Sequence, residues 1–420
     1  MKTPSIEAPT HLDFETYLSS YTGYTRIDRA LYLAEHCRQF QIRARQWALQ
    51  EIKTTTTNIK LYESTLNDLN KLLLNQGQQP LDPDQAWISQ AQLENKATED
   101  KLEADIKTFK NNLSKDNIRL TYFRMGDQSC KAGEFSNALK HYMRARDYCT
   151  DPANVLDMCF KVIKANIFQH NFSHVTTHIA RIESTPNIQL SDLVRSKVEC
   201  CRALVALAMR EQYHAAATAL LNVSFELNHQ FSDVLSANDI AIYGGLCALA
   251  SFDRHELRTK LMTNSAFKSY LELEPQIRDM IEAFYTSKYA QCLSLLKNYR
   301  DDLCLDLYLG SHADRLIELI EEKAMIQYCR PYATVDMHRM ASAFQLDVDK
   351  LQKDVIALIR KNKIGVRIDS HQKILLAKQT DQRRQALDRS LATGAEFEKS
   401  TKALMLRYQI LKNRIALNDK

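Results

Sequence analysis

The sequence predicts an all-α fold: a solenoid of stacked helix pairs, then a small module of helices and a β-hairpin, then one long terminal helix. Three observations predict it. Helix formers dominate, and 420 residues hold only 9 Gly and 8 Pro, too few for the turns of a β-rich chain. One helix pattern occurs four times between residues 135 and 299, as in chains whose units cannot bury an apolar face alone. Period-two alternation is clear only at residues 364–377. This length allows two or three domains, and the segments read as 1–118, an N-terminal helical region; 119–330, helical repeats; 331–380, the helix–hairpin module; and 381–420, the terminal helix.

Composition narrows the setting. No run of eighteen apolar residues occurs, and Met1–Thr10 lacks the basic and apolar regions of a secretory leader, so no membrane partner is expected. The ten cysteines form no C-x-x-C pair and lie mostly within helical patterns. They read as reduced, buried thiols of the cytoplasm and nucleus. A net charge of +5 is small for this length and permits an acidic partner without demanding nucleic acid.

Taken in order, Leu12–Thr56 reads as two or more helices, with one stripe at Ile27, Leu31 and Ala34 and another at Ile42, Trp47 and Leu49. Asn75–Asp84, with a Gly and two prolines, reads as a flexible connector. Gln85 to about Ser114 is a long charged helix with a seam at Leu102, Ile106, Phe109 and Leu113, either a packed face or a coiled-coil strip. Tyr122, Met125, Gly126, Ala138, Tyr142, Ala145 and Pro152 then sit close to the signature positions of a tetratricopeptide repeat, where small residues let two helices approach and aromatic residues fill the gap. Its second-helix pattern, Phe135, Ala138, Tyr142 and Ala145, returns at Phe172, Val175, Ile179 and Ile182. It returns again at Tyr213, Ala216, Leu220 and Val223, and at Tyr289, Cys292, Leu296 and Tyr299. The last interval has room for two units, and a degenerate copy is expected at Phe252. Such pairs stack into a right-handed solenoid, an architecture for binding proteins.

In the next module, Met337, Met340, Ala341 and Phe344 share one helix face. Asp347 is placed to cap a second helix bearing Val348, Leu351, Val355 and Leu358. The period then switches to two. Ile364, Val366 and Ile368 alternate with Gly365 and Arg367, Asp369–Gln372 turn, and Lys373–Ala377 return. Helix, turn, helix and hairpin make a winged helix. Beyond it, Leu387, Leu391, Gly394, Phe397, Thr401, Leu404, Tyr408, Leu411 and Ile415 are spaced by threes and fours. This is a coiled-coil seam, read as packing on another chain in preference to folding back on its own module.

Catalytic chemistry finds no foothold. There is no H-E-x-x-H, G-x-S-x-G, P-loop or G-x-G-x-x-G; Gly244-Gly245 reads as a close helix contact. His170, His174 and His178 are spaced by four, but His170-Asn171 falls in an expected turn with no acidic ligand near, so a solvated repeat edge is expected and no metal or cofactor. The second helix of the winged module carries Lys350, Lys353 and Arg360, with Arg367 and Lys373 in the wing. Asp347, Asp349 and Asp354 interrupt that field, a poor surface for phosphate. The hairpin reads instead as an exposed edge for β-augmentation by a neighbouring subunit.

Pro331-Tyr332-Ala333 followed by Asp336-Met337-His338-Arg339-Met340-Ala341 resembles the PCI domain, a winged helix set on helical repeats, shared by the proteasome lid, the COP-9 signalosome and a translation initiation factor. Longer stretches resemble the signalosome branch: Ser20–Arg29 with Leu31–Cys37, Asn137–Lys140 with Arg144–Thr150, Ile240–Ala250 with Phe252–Arg254, Leu271–Asp279 and Ile368–His371. That resemblance implies a non-catalytic scaffold in an assembly whose isopeptidase subunit, a different chain, uses zinc to remove Nedd8 from cullin-RING ligases. It implies PCI subunits such as 2 and 3 as neighbours, and a proteasome-lid scaffold as the alternative. The expected interface residues are Ile364, Val366, Arg367, Asp369, His371, Ile374 and Leu376 on the hairpin, and Phe397, Leu404, Tyr408, Leu411 and Ile415 on the terminal seam. The N-terminal helices are expected to reach toward partners.

Overall fold

The computed structural model describes residues 13–149, 151–185, 191–210, 212–378 and 382–413, and the chain divides into two compact units, Met1–Met325 and Ile326–Lys420. In the first, α1 (Phe14–Ser19), α2 (Gly23–His36), α3 (Gln41–Thr55) and α4 (Ile59–Asn75) follow one another. Asn58 caps α4 by accepting the Leu61 amide at 3.1 Å. The stretch after α4 is less loose than its composition implies, because the Asn70 side chain bonds both the N–H and the carbonyl of Leu81, at 2.8 and 2.9 Å. Asp84 then caps α5 (Gln85–Asn111) through the Trp87 amide. Leu102 and Ile106 of α5 are buried where it packs on α6 (Lys115–Lys131), the ordinary packed-face alternative. Leu113 drops out of that seam: it lies past the helix end at φ +54° and is exposed.

The repeats follow. α6 pairs with α7 (Phe135–Ala145), α8 (Pro152–Phe168) with α9 (Phe172–Ser184), and α10 (Asp192–Arg210) with α11 (Tyr213–Leu221). The first pair depends on Gly126, where an added Cβ would stand 2.2 Å from the Tyr142 ring, so the helices close to a distance only glycine permits. α12 (Ala237–Ser251) opens on a capping box in which Ser236 and Asp239 satisfy each other's backbone amides. The degenerate copy starts two residues after Phe252 as α13 (Arg254–Glu256) and runs into a π-helical stretch, Leu257–Met262, a widened turn that has lost the repeat's register. α14 (Ser265–Leu271) precedes the last pair, α15 (Pro275–Tyr285) with α16 (Tyr289–Cys304). All four second helices, α7, α9, α11 and α16, begin at the expected aromatic residue. Gly244 and Gly245 are the expected close contact: a Cβ would lie 2.8 Å from Phe267 and 2.5 Å from Ile277.

After α17 (Ala313–Cys329) the second unit holds β1 (Thr334–Asp336), α18 (Met337–Phe344), α19 (Val348–Arg360), β2 (Val366–Asp369), β3 (Ile374–Ala377) and α20 (Gln382–Lys412). The fold is the expected one, a helical-repeat array with a winged helix and a long terminal helix. One strand was not expected. β1 pairs antiparallel with β3, giving the order β1-β3-β2.

Candidate assembly surfaces

The winged helix is organised from its core outward. Met337, Met340, Ala341 and Phe344 of α18 and Leu351, Val355 and Leu358 of α19 are all buried, the two stripes that helical spacing predicts. Asp336 caps α18 by accepting the His338 amide at 2.8 Å. Gln345 closes it in the left-handed conformation at φ +53°. Asp347 occupies the N-cap of α19 but makes no side-chain capping bond. The sheet lies in the register Val366↔Ala377, Arg367↔Leu376, Ile368↔Leu375 and Asp369↔Ile374. Alternation therefore sends Val366, Ile368 and Leu375 to one face and Arg367, Leu376 and Ile374 to the other.

This geometry sorts the expected hairpin residues. Ile364 is buried and Val366 half-buried, so both serve the core, whereas Arg367 and Leu376 are exposed. Asp369 acts within the hairpin itself. Its Oδ1 accepts the amides of His371 and Gln372 at 3.0 and 3.1 Å, which shapes the tip of the wing. The hairpin does not present β3 as an exposed edge, because β1 occupies that side. Ile374 and Leu376 sit on a central strand, and backbone pairing with a neighbour is open on the outer side of β2 or of the short β1. Lys373 is not free for phosphate either; its Nζ donates to Gln352 at 2.8 Å and lies 3.6 Å from Asp349.

The terminal helix is different in kind. α20 is 31 residues long, about 46 Å at 1.5 Å per residue. Its seam residues Leu387, Leu391, Phe397, Leu404, Tyr408 and Leu411 are 59–77% exposed, so the described residues do not fold back over it. Ile415 lies outside the described residues.

A further set of residues, not expected from the sequence, lies inside the first unit. Arg29 is 1% exposed, and its two terminal nitrogens reach Asp306 at 2.7 Å and Asp239 at 2.9 Å. They also donate to the hydroxyls of Tyr17 at 2.7 Å and Tyr243 at 3.1 Å. Tyr21 donates to Asp239 at 2.7 Å, Tyr243 to Asp306 at 2.6 Å, and the Tyr21 ring stacks 4.1 Å from the guanidinium. Burial alone lowers the pKa of Arg29, but the charge of the adjacent Asp239 outweighs it and the pKa stands well above its ordinary value, so a full cation sits in the core. Around this knot α2 is tied along the repeats. Thr22 donates its amide to Ser232, Thr25 bonds the Asp233 carbonyl, and Tyr24 packs on Phe135 and Phe168. Helix α2 is thus packed into the repeat core.

The three histidines spaced by four do not share a face. His170 stands in the turn at φ +55°, His174 is exposed, and His178 is buried, its pKa lowered by desolvation. The expected solvated edge therefore holds for His174 and not for His178. Among the described residues no group of three or more His, Cys, Asp or Glu is placed to hold a metal ion.

Two family models match the chain: 26S proteasome subunit RPN7 over residues 84–260 and the PCI domain over residues 296–379. The chain is 39% identical to COP9 signalosome complex subunit 1 of Arabidopsis thaliana, over 96% of this chain and 90% of that protein. It is 36% identical to COP9 signalosome complex subunit 1b of Drosophila melanogaster, over 98% and 87%. Its similarity to the 26S proteasome non-ATPase regulatory subunit 6 of Dictyostelium discoideum is lower, 21% over 74% of this chain and 81% of that protein.

Proposed function

The chain belongs to the COP9 signalosome subunit 1 family, and from that membership we propose that it is a non-catalytic scaffold through which the assembly removes Nedd8 from cullin-RING ligases. It joins other PCI chains, such as subunits 2 and 3, and the isopeptidase subunit within the complex. The observation that carries this reading is α20, a helix whose apolar seam stays exposed along its whole described length. Soluble chains rarely leave so long a stripe uncovered unless another chain covers it. The outer side of β2, with Arg367 and Leu376 on the exposed face, serves as a second contact. Ten free cysteines fit the reducing cytoplasm and nucleus.

The test is mass spectrometry of what co-purifies from native cells with the tagged chain. The expected result is the isopeptidase and the other PCI subunits in near-equal amounts. Recovery of proteasome ATPases and lid subunits instead would favour the lid scaffold, a reading kept by the match of residues 84–260 to a proteasome subunit model. Leu404→Asp with Leu411→Asp is expected to abolish recovery while the chain melts as the wild type does. Undiminished recovery would remove α20 from the account.

A further inference from the structure

The seam of α20 defines which side chains flank it. With Phe397, Leu404 and Leu411 at one core position of the heptad and Thr401 and Tyr408 at the other, the charged flanking positions of the last described turns are Arg407 and Lys412. Both are exposed and neither forms an ion pair among the described residues. The flanking Glu398 is instead matched on its own helix by Lys402 at 2.6 Å. Flanking charges set partner choice in coiled coils. Two copies of α20 in parallel would bring Arg407 of each against Lys412 of the other. That pairing sets like charges across a closing apolar seam, which counts against the match. The wider charge distribution agrees: residues 326–420 carry nineteen Lys and Arg against ten Asp and Glu, while residues 1–325 carry thirty-seven against forty-one.

We propose that α20 docks on a helix of a different chain that presents carboxylates opposite Arg407 and Lys412, and that the same two cations disfavour parallel pairing of two copies of this chain through their own seams. This rests on the scaffold reading and adds the chemistry of the occupant. The seam supplies attraction to any apolar helix. The flanking cations select among them, admitting an acidic helix and refusing a basic one.

Charge reversal on the full-length chain tests this without knowing the natural partner. Arg407→Glu with Lys412→Glu makes α20 an acidic-flanked helix, so this variant serves as the probe for the wild type. In sedimentation equilibrium at low salt, wild type alone and the double variant alone are expected to stay monomeric. Their 1:1 mixture should associate at least about tenfold more tightly than either alone, and 0.5 M salt should erase the gain. A mixture no tighter than the wild type alone overturns the proposal, as does a wild type that self-associates as well as the mixture.

In native cells the double variant should recover at least about tenfold less of its partner chains than the wild type at equal expression and melting temperature. The seam variant separates the two failures. If Leu404→Asp with Leu411→Asp loses the partners but the charge reversal keeps them all, docking through α20 stands and the charge rule falls. If the seam variant also keeps them, the docking reading falls and takes this proposal with it.

Discussion

Helices α2 and α20 make opposite use of the same pattern. Both carry apolar residues at helical spacing with arginines beside them. In α2 these features turn inward: Ile27, Ala30, Leu33 and Ala34 are at most 1% exposed, and so is Arg29 between two carboxylates. In α20 the corresponding leucines lie open and the flanking Arg407 has no ionic partner among the described residues. Burying a Leu or Phe fully stabilises by about 1.5–3 kcal/mol, so the six exposed seam residues hold back of order 10 kcal/mol of burial. That reserve is released when another chain covers them. A helical stripe therefore identifies a face, while its burial decides whether the face serves folding or assembly.

The comparison breaks most visibly at the two arginines. Arg29→Ala leaves the buried Asp239 and the half-buried Asp306 without their cation, and stability in urea unfolding should fall by about 3–5 kcal/mol. Arg407→Ala, on an exposed face, should stay within about 0.5 kcal/mol of the wild type. Equal losses from both substitutions would mean that α20 is buried in solution. No loss at Arg29 would mean that α2 is not tied to the repeats.

A smaller contrast lies within the winged helix, where neighbouring residues of β2 point to opposite faces. Val366→Asp puts a charge on the core-facing side and should cost about 1–3 kcal/mol, seen as a lower melting temperature. Arg367→Asp, one residue along and exposed, should melt as the wild type does and reduce partner recovery instead. Exchange of the two phenotypes would shift the strand register by one residue.

What the sequence disclosed follows the same division. The repeats were legible because each second helix renews one pattern, and Phe135, Phe172, Tyr213 and Tyr289 each prove to open a helix. The seam of α20 was legible because a three-four spacing survives whatever covers it. β1 was not: three residues, Thr334–Asp336, show no periodicity, and they become a strand only through pairing with β3. The Arg29 knot was hidden for another reason. An arginine in an amphipathic helix reads as solvent-facing, and its partners lie 210 and 277 residues away in sequence. One signal was present. Arg29 is four residues from Thr25 and from Leu33, both buried, so it lies along a buried row and not opposite one.

The smallest predicted effect asks how completely α2 is enclosed. Asp28, beside the knot residue, is half-buried, and desolvation raises its pKa from 3.8 to about 7. Its ionised form is thus disfavoured in the folded chain relative to the unfolded one. Between about pH 4 and pH 7 the folded state binds the extra proton, so the contribution of Asp28 is complete below pH 4 and is lost as the pH rises through 7. Asp28→Asn cannot ionise and removes that loss. The variant should therefore match the wild type at pH 4 and melt higher at pH 8, by about 2–4 °C, with the gap opening across the window and levelling above it. Parallel melting profiles would place Asp28 in water, and would limit the enclosure of α2 to the face that carries Arg29.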